Sequence, residues 1–540
     1  MSTSRGQYTT VQSEIYNDAN TTHVMHDDTS DIEDAPSEAN NENSISMQHL
    51  LKDGKCTTRV QSLDTLPPFD KANGTRNTCI AGLVLSMMVS IACIIIATWA
   101  FKGRRAFLLQ TGSYTVDRYG QRTFFLGSTE QALVKLAVNV AITLCTDCLG
   151  YIHSTSFRWA LSRENRLHFN SNLRLLATTR GCSSSRWSMN LVSAFLLMTC
   201  YAASGQLFLP NGVTEQASFI VNGIALMMLG IGIMGQALIS TLSLYNSSAL
   251  IPTWSSNPIN TVLTMMHLRL LSHRSKRCMM SVFDRTASSL ATMPLERQRS
   301  IRHSHVQVRI ITRLLWSLAG LIFLWAVVVL SVSATRNSGS FSRDIPFYGK
   351  SVPDFQLNIT AILLVVTFQA GITLGLHIAE MIVNLSRDES AWRRATKTSG
   401  QCVSQGALGS IKTALLSWQT LSLFLFKAVS HWLFGISLGM EGKQMVMNWR
   451  GLLPLSALMA VLALFTTLLV RHEPKGPQPA TYGHLQTLCD LIDTWPEVVE
   501  QAFFWGDKVS NAGNEVRHAG TSGAPLAPVQ MGQLYAGCRD

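Results

Sequence analysis

Four kinds of residue in this chain are placed to do chemistry where it is costly, inside long apolar runs. Lys427 and His431 stand four apart in one run, Asp147 interrupts a second, and His377 and Glu380 stand three apart in a third. An ionisable side chain at membrane depth faces protein or water, because hydrocarbon penalises it. Each set belongs to a stripe at helical spacing. In the second run the stripe is Lys135, Asn139, Thr143 and Asp147. In the sixth it is Gln369, Thr373, His377, Glu380 and Asn384. In the seventh, Lys427 and His431 continue into Gly435 and Gly439.

Those glycines say what lies beside the stripes. Gly435 and Gly439 make one GxxxG, and Gly371 and Gly375, extended by Ala379, make another. Small residues let membrane helices approach closely. In the sixth run the small face lies about 200° around the helix from the polar stripe, so this helix should touch protein on both sides. Lys427 shares a face with Gly435 and Gly439 and should point into the bundle, with Asp147 or Glu380 as its counter-charge. Such a set serves either as a polar path for an ion, proton or small solute, or as an ion pair that fixes packing.

Other chemistry is poorly supported. His377-x-x-Glu380 offers two metal ligands and His431 a third, but a catalytic zinc needs three ligands and an open position, so no metal is assigned. Cys145-Thr-Asp-Cys148 has redox spacing but sits in an apolar run. Walker, GxGxxG, GxSxG and HExxH patterns are missing. No catalytic residue or cofactor is assigned.

The elements that hold these residues are membrane helices. A bilayer core of about 30 Å needs roughly twenty apolar residues of helix. Eight stretches qualify: 79–101, 132–152, 187–209, 219–244, 311–334, 359–381, 417–438 and 452–470. The second and seventh are the weakest because they carry the charges. The chain is 47% hydrophobic and 14% charged, against about a quarter charged in soluble domains. The fold class expected is therefore an all-α membrane protein, a bundle of about eight transmembrane helices spanning residues 71–471.

Residues 1–70 hold twelve acids and four bases with few aromatics, the composition of a disordered tail. Residues 472–540 read as a small helical cap, with one helix near 484–495 and a second from Pro496 through Trp505. Residues 102–131 suggest a β-hairpin turning at Asp117–Gly120, with Phe124 as a strand former. The first apolar stretch starts near Cys79, too late for a cleaved leader. Placing both termini in the cytosol puts 21 Lys and Arg in inner loops and ten in outer ones, as the positive-inside rule requires. Residues 157–174 read as a basic amphipathic helix on anionic inner-leaflet lipids. The bilayer is the expected partner, and nucleic acid is not.

Several strings resemble a family of uncharacterised multi-pass membrane proteins of filamentous fungi. They include Arg158-Trp-Ala-Leu through Phe169-Asn-Ser-Asn, Ser256-Asn-Pro-Ile-Asn260 and Arg277-Cys-Met-Met-Ser281. They continue with Val383-Asn-Leu-Ser-Arg-Asp388 before Ala391-Trp-Arg393, His431-Trp-Leu-Phe-Gly435, Ala480-Thr-Tyr-Gly-His-Leu-Gln-Thr-Leu488 and Arg517-His-Ala-Gly-Thr521. The resemblance implies a multi-helix architecture and carries no activity. Two functions follow from the residues themselves. One is movement of an ion or small solute along a polar path in spans 2, 6 and 7. The other is a non-catalytic scaffold or signalling component acting through cytosolic loops and tails.

Overall fold

The computed structural model describes residues 66–107, 121–125, 128–173, 175–210, 218–247, 250–287, 291–336, 340–344, 354–404, 406, 409, 417–441, 444–508 and 516–536. The acidic tail up to residue 65 and the expected turn at Asp117–Gly120 lie outside them. Among the described residues, eight helices are long and apolar enough to cross a membrane. They are Asn73–Phe107, Ser128–Arg163, Trp187–Gly205, Gly223–Ser247, Val306–Thr335, Asp354–Trp392, Trp418–Ser437 and Trp449–Arg471. The chain is an all-α, multi-pass membrane protein.

Local chemistry sets several helix starts. Asn448 accepts from the Arg450 N–H before the eighth span, and His305 accepts from the Gln307 N–H before the fifth. Each satisfies a backbone donor that the first turn leaves open. The spans differ in depth. The apolar window of the first is 22% buried and that of the fourth 61%, so the first lines the rim and the fourth the interior. The sixth packs against the third, fifth, seventh and eighth, the central place its two-faced sequence requires.

An even number of alternating spans brings Leu66–Asp70 and the segment after Arg471 to one side, here the tail side. On the opposite side, short strands tie the connections together. β1 (Gln121–Phe125) pairs antiparallel with β3 (Ser218–Asn222), which also pairs with β2 (Phe208–Pro210). β4 (Phe341–Asp344) pairs with β7 (Gln444–Met447), which pairs with β6 (Leu438–Glu441). Phe124 is thus in a strand, but its partner Phe219 comes from a distant loop. β-Pairing satisfies backbone groups that a short loop at the membrane surface would leave open.

The tail side carries a folded module, where several expectations need correction. The C-terminal segment begins with a helix, Leu485–Leu491, but the helix expected from Pro496 is a strand, β8 (Ala502–Lys508). β8 pairs with β9 (Val516–Ser522) and with β5 (Gln401–Cys402), and β10 (Leu534–Tyr535) completes the sheet beside β9. The basic helix expected on the membrane surface is the end of the second span. Phe157, Trp159 and Leu161 are buried, and Arg158 donates to Asn170 Oδ1 and to the Ser255 carbonyl. Protein, not lipid, covers this aromatic face. Leu66–Asp70, assigned to the tail by composition, are packed as well. Asp70 accepts from Ser404 Oγ at 2.6 Å and donates its N–H to Asn260 Oδ1 at 3.0 Å.

The module is joined to the spans by the end of the sixth. Glu389 accepts from the Thr481 and Tyr482 N–H groups at 2.8 Å, and Trp392 donates to the Pro479 carbonyl. Asp388 accepts from Asn170 Nδ2 at 3.0 Å, and the Asn170 N–H donates to the Gly483 carbonyl. Gly483 has φ +72°, and a Cβ there would lie 2.7 Å from Asp388 Oδ2. Gly483→Ala is expected to cost about 2–4 kcal/mol, from left-handed backbone strain plus overpacking, read as a lower melting temperature in detergent. An unchanged melt would show that the joint relaxes freely.

His484 N-caps the short helix: its Nδ1 accepts from the Thr487 N–H and hydroxyl. Burial, with Arg285, His168 and Arg274 nearby, holds its pKa at about 3. A neutral imidazole is therefore part of the fold. Because the folded value lies below the unfolded one of about 6.5, its contribution is present above that pH and is lost as pH falls towards 3. Going from pH 7 to pH 5 should remove up to about 2 kcal/mol. His484→Asn, which keeps a cap, should flatten that loss. A variant that melts with the wild-type pH slope would remove His484 as its cause.

Candidate functional site

The charged residues of three spans meet in the bundle. Lys427, on the seventh span, is only 2% exposed and donates to Asp147 Oδ1 of the second span at 2.7 Å. Glu380 Oε1 of the sixth span lies 3.5 Å from the same ammonium. The two carboxyl side chains are 31% and 36% exposed. Helical spacing explains why one lysine reaches both, since its long stem lies along the helix while its head extends to neighbours. His377 Nδ1 lies 3.4 Å from Glu380 Oε2, one turn back on the sixth span.

Deeper in the bundle the polar stripes of the sixth and seventh spans continue to face each other. Gln369 Nε2 lies 2.8 Å from His431 Nδ1. The His431 ring stacks on Tyr201 of the third span, centroids 3.5 Å apart. His431 is thus turned to Gln369 and Tyr201, away from the metal-like set imagined with His377 and Glu380. Tyr201 shares a hydrogen bond with Thr146 Oγ1 at 3.0 Å, and Ser204 donates to Asn139 Oδ1 at 3.0 Å. Part of the second-span stripe is therefore engaged by the third span. The sequence hid Tyr201, because a tyrosine in an apolar run reads as packing.

The glycines hold this arrangement tight, though not all as spaced. A Cβ on Gly435 would lie 2.8 Å from Gly205 Cα, so the third and seventh spans cross glycine on glycine. Gly371 and Gly375 seat Leu318 of the fifth span, where added Cβ atoms would come within 3.3 and 2.7 Å. Gly439 is different. The seventh helix ends at Ser437, and Gly439 lies in β6 with nothing within 4 Å of an added Cβ. The Gly435–Gly439 motif is therefore one packing glycine followed by a strand residue.

Between the second, sixth and seventh spans lies a cavity of about 490 Å³. Asp147, Glu380 and Lys427 form its floor, and Leu144, Ile378 and Phe424 are among its apolar walls. Towards the tail side its lining continues past Thr75, Asn170 and Ser256 to Arg158 and Arg387. The volume falls in the range of small-molecule sites. The two guanidiniums were absent from the sequence-derived candidates, because Arg158 looked like a surface charge. The signal available was its place on the second helix, three turns beyond Asp147. A closed bundle gains stability from filled interiors, so an apolar cavity with a charged floor is spare volume suited to a ligand. No protein-family model, no curated protein and no solved structure matches this chain.

Proposed function

We infer that the chain is a carrier that takes a small solute or proton from its tail side to the charge cluster of spans 2, 6 and 7. The observation that supports this reading is the cavity itself, which reaches Lys427, Asp147 and Glu380 in mid-bundle. A pair serving only to fix packing has no need of a cavity against its carboxylates. On this reading the tail side is cytosolic, with the positive-inside bias of the loops as the reason. Anionic lipid contacts fall to bases such as Arg309 and Arg313, exposed at the start of the fifth span. The quoted strings support placing the chain with the fungal membrane family they resemble.

The probe for this function is the proton. The full chain is reconstituted in vesicles holding a pH indicator, and a potassium diffusion potential is imposed. Wild-type protein should pass protons above the rate of empty vesicles. The charge-free floor, Lys427→Leu with Asp147→Asn and Glu380→Gln, should lose most of that flux while keeping its fold. No flux in the wild type, or equal flux in the triple variant, would sink the carrier reading. The scaffold reading has its own support in the folded tail-side module, and removal of residues 1–70 or 480–540 would test it by loss of a bound partner.

A further inference from the structure

The charges around the cavity are segregated along its length. At the floor, two carboxylates face one ammonium, and the carboxylates are the exposed members while Lys427 is 2% exposed. The floor therefore presents a net negative charge to anything in the cavity. At the mouth, Arg158 and Arg387 line the cavity, and Asp388 lies beside them outside its lining. Arg387 lies 3.8 Å from Asp388 Oδ1, longer than a hydrogen bond. Arg158 is buried and its Nε has no partner. Its two terminal nitrogens donate to Asn170 Oδ1 and the Ser255 carbonyl, so Arg158 contributes charge to the mouth, and Arg387 offers the guanidinium that is not hydrogen-bonded to Asp388.

The separation of the two ends follows from the helices that carry them. Arg387 follows Glu380 by two turns on the sixth span, about 10 Å of rise. Arg158 follows Asp147 by three turns on the second, about 16 Å of rise. Between the two ends the lining is mixed, with Met381, Val383 and Phe424 beside Tyr151, Ser154 and Asn384. A ligand that matches this pattern has an ammonium at one end, an acid about 10 Å away, and a compact body between. An extended chain of three amino acids spans roughly 10 Å. Its free amine and carboxylate supply the two charges, and guanidinium suits a terminal carboxylate because it binds both oxygens.

We propose that this cavity binds a zwitterion of tripeptide length, with its ammonium at Asp147 and Glu380 and its carboxylate at Arg158 and Arg387. The proposal rests on the carrier reading for its site and names the class of solute that enters it. A lone organic cation would leave the arginines unanswered, and a lone carboxylate would leave the floor so. Single amino acids carry both charges but too close together to reach both ends.

The test uses the full chain in detergent and three probes: trialanine, trialanine amide, which lacks the acid, and N-acetyl-trialanine, which lacks the ammonium. Calorimetry should show trialanine binding tightest, with each blocked form weaker by about tenfold or more. Arg387→Gln should weaken trialanine and leave the amide unchanged. Glu380→Gln should weaken trialanine and leave the acetylated form unchanged. Amide binding equal to trialanine would reduce the site to a cation site. Acetylated binding equal to trialanine would reduce it to an anion site. Either result overturns the proposal, as does failure of all three probes to bind. The comparison among probes needs only the wild-type protein, so a variant that fails to fold does not decide it. Binding without flux in vesicles would remove the carrier reading alone, and proton flux without peptide binding would remove this proposal alone.

Discussion

Removing both carboxylates from the cavity floor should destabilise the protein more than removing the lysine between them. Asp147→Asn with Glu380→Gln leaves the Lys427 ammonium, 2% exposed, without a counter-charge. Stranding one member of a buried pair costs about 3–5 kcal/mol. Lys427→Leu strands the carboxylates instead, but these are about a third exposed, and water entering the cavity screens them. Its cost should be smaller, about 2–3 kcal/mol. The triple variant removes every charge and should recover to within about 1 kcal/mol of wild type. Detergent melts of the three variants give the order. If Lys427→Leu is the worst of them, the lysine does more than neutralise its neighbours. If all three melt together, the ion pair contributes nothing to the bundle.

The second large effect should come from Asp493, which organises the tail-side sheet. Its Oδ2 accepts from Lys508 Nζ at 2.7 Å and from His518 Nε2 at 2.8 Å. Its Oδ1 accepts from the Thr521 N–H at 2.7 Å. Burial pushes this carboxyl up, but the hydrogen bonds and charges of His518 and Lys508 outweigh it and hold the group well below the usual carboxylate range. Asp493→Ala removes the acceptor for four donors, the Thr521 hydroxyl being the fourth, strands Lys508, and should cost about 3–5 kcal/mol. The sign of the pH effect follows from the depressed folded value. The stabilisation is complete above the unfolded value of about 3.9 and is lost as pH falls below it. Between pH 7 and 5 the Asp493 contribution should therefore be flat, in contrast with that of His484. Amide exchange of β8 and β9 would report the loss directly. Unchanged protection in Asp493→Ala would show that the sheet is held from elsewhere.

The spans and the charge cluster were legible because both follow from one cost, that of polar groups in hydrocarbon. A lysine within an apolar run needs a partner, and helical spacing leaves few candidates. Other features escaped for identifiable reasons. Arg158 and its aromatic neighbours have the composition of an interfacial helix, and only contact with Asn170 and Ser255 shows that protein covers them. Phe503, Phe504 and Trp505 form a short apolar run, which fits a helix or a strand equally. The pairing that decides it lies with Val516–Ser522, whose Arg, His, Gly, Thr and Ser residues give no strand pattern. Gly439 followed a packing motif in spacing, but the helix ended first. Asn170, Asp388 and Thr481 stood in the quoted strings without a role, and with Glu389 they are the joints of the tail-side module.

Those joints set an order of events during synthesis. Asp70 is held by Ser404, 334 residues later in the chain, and Asn170 by Asp388, 218 residues later. At about 5–20 residues per second, the first of these contacts waits roughly 20–70 s for its partner to leave the ribosome. The joint at Gly483 waits for the eighth span as well. For most of translation, then, the buried face of the module stands open while the early spans are already in the bilayer. Chains that stop short of the last strands would carry that open face permanently, which makes it a natural mark for quality control to read.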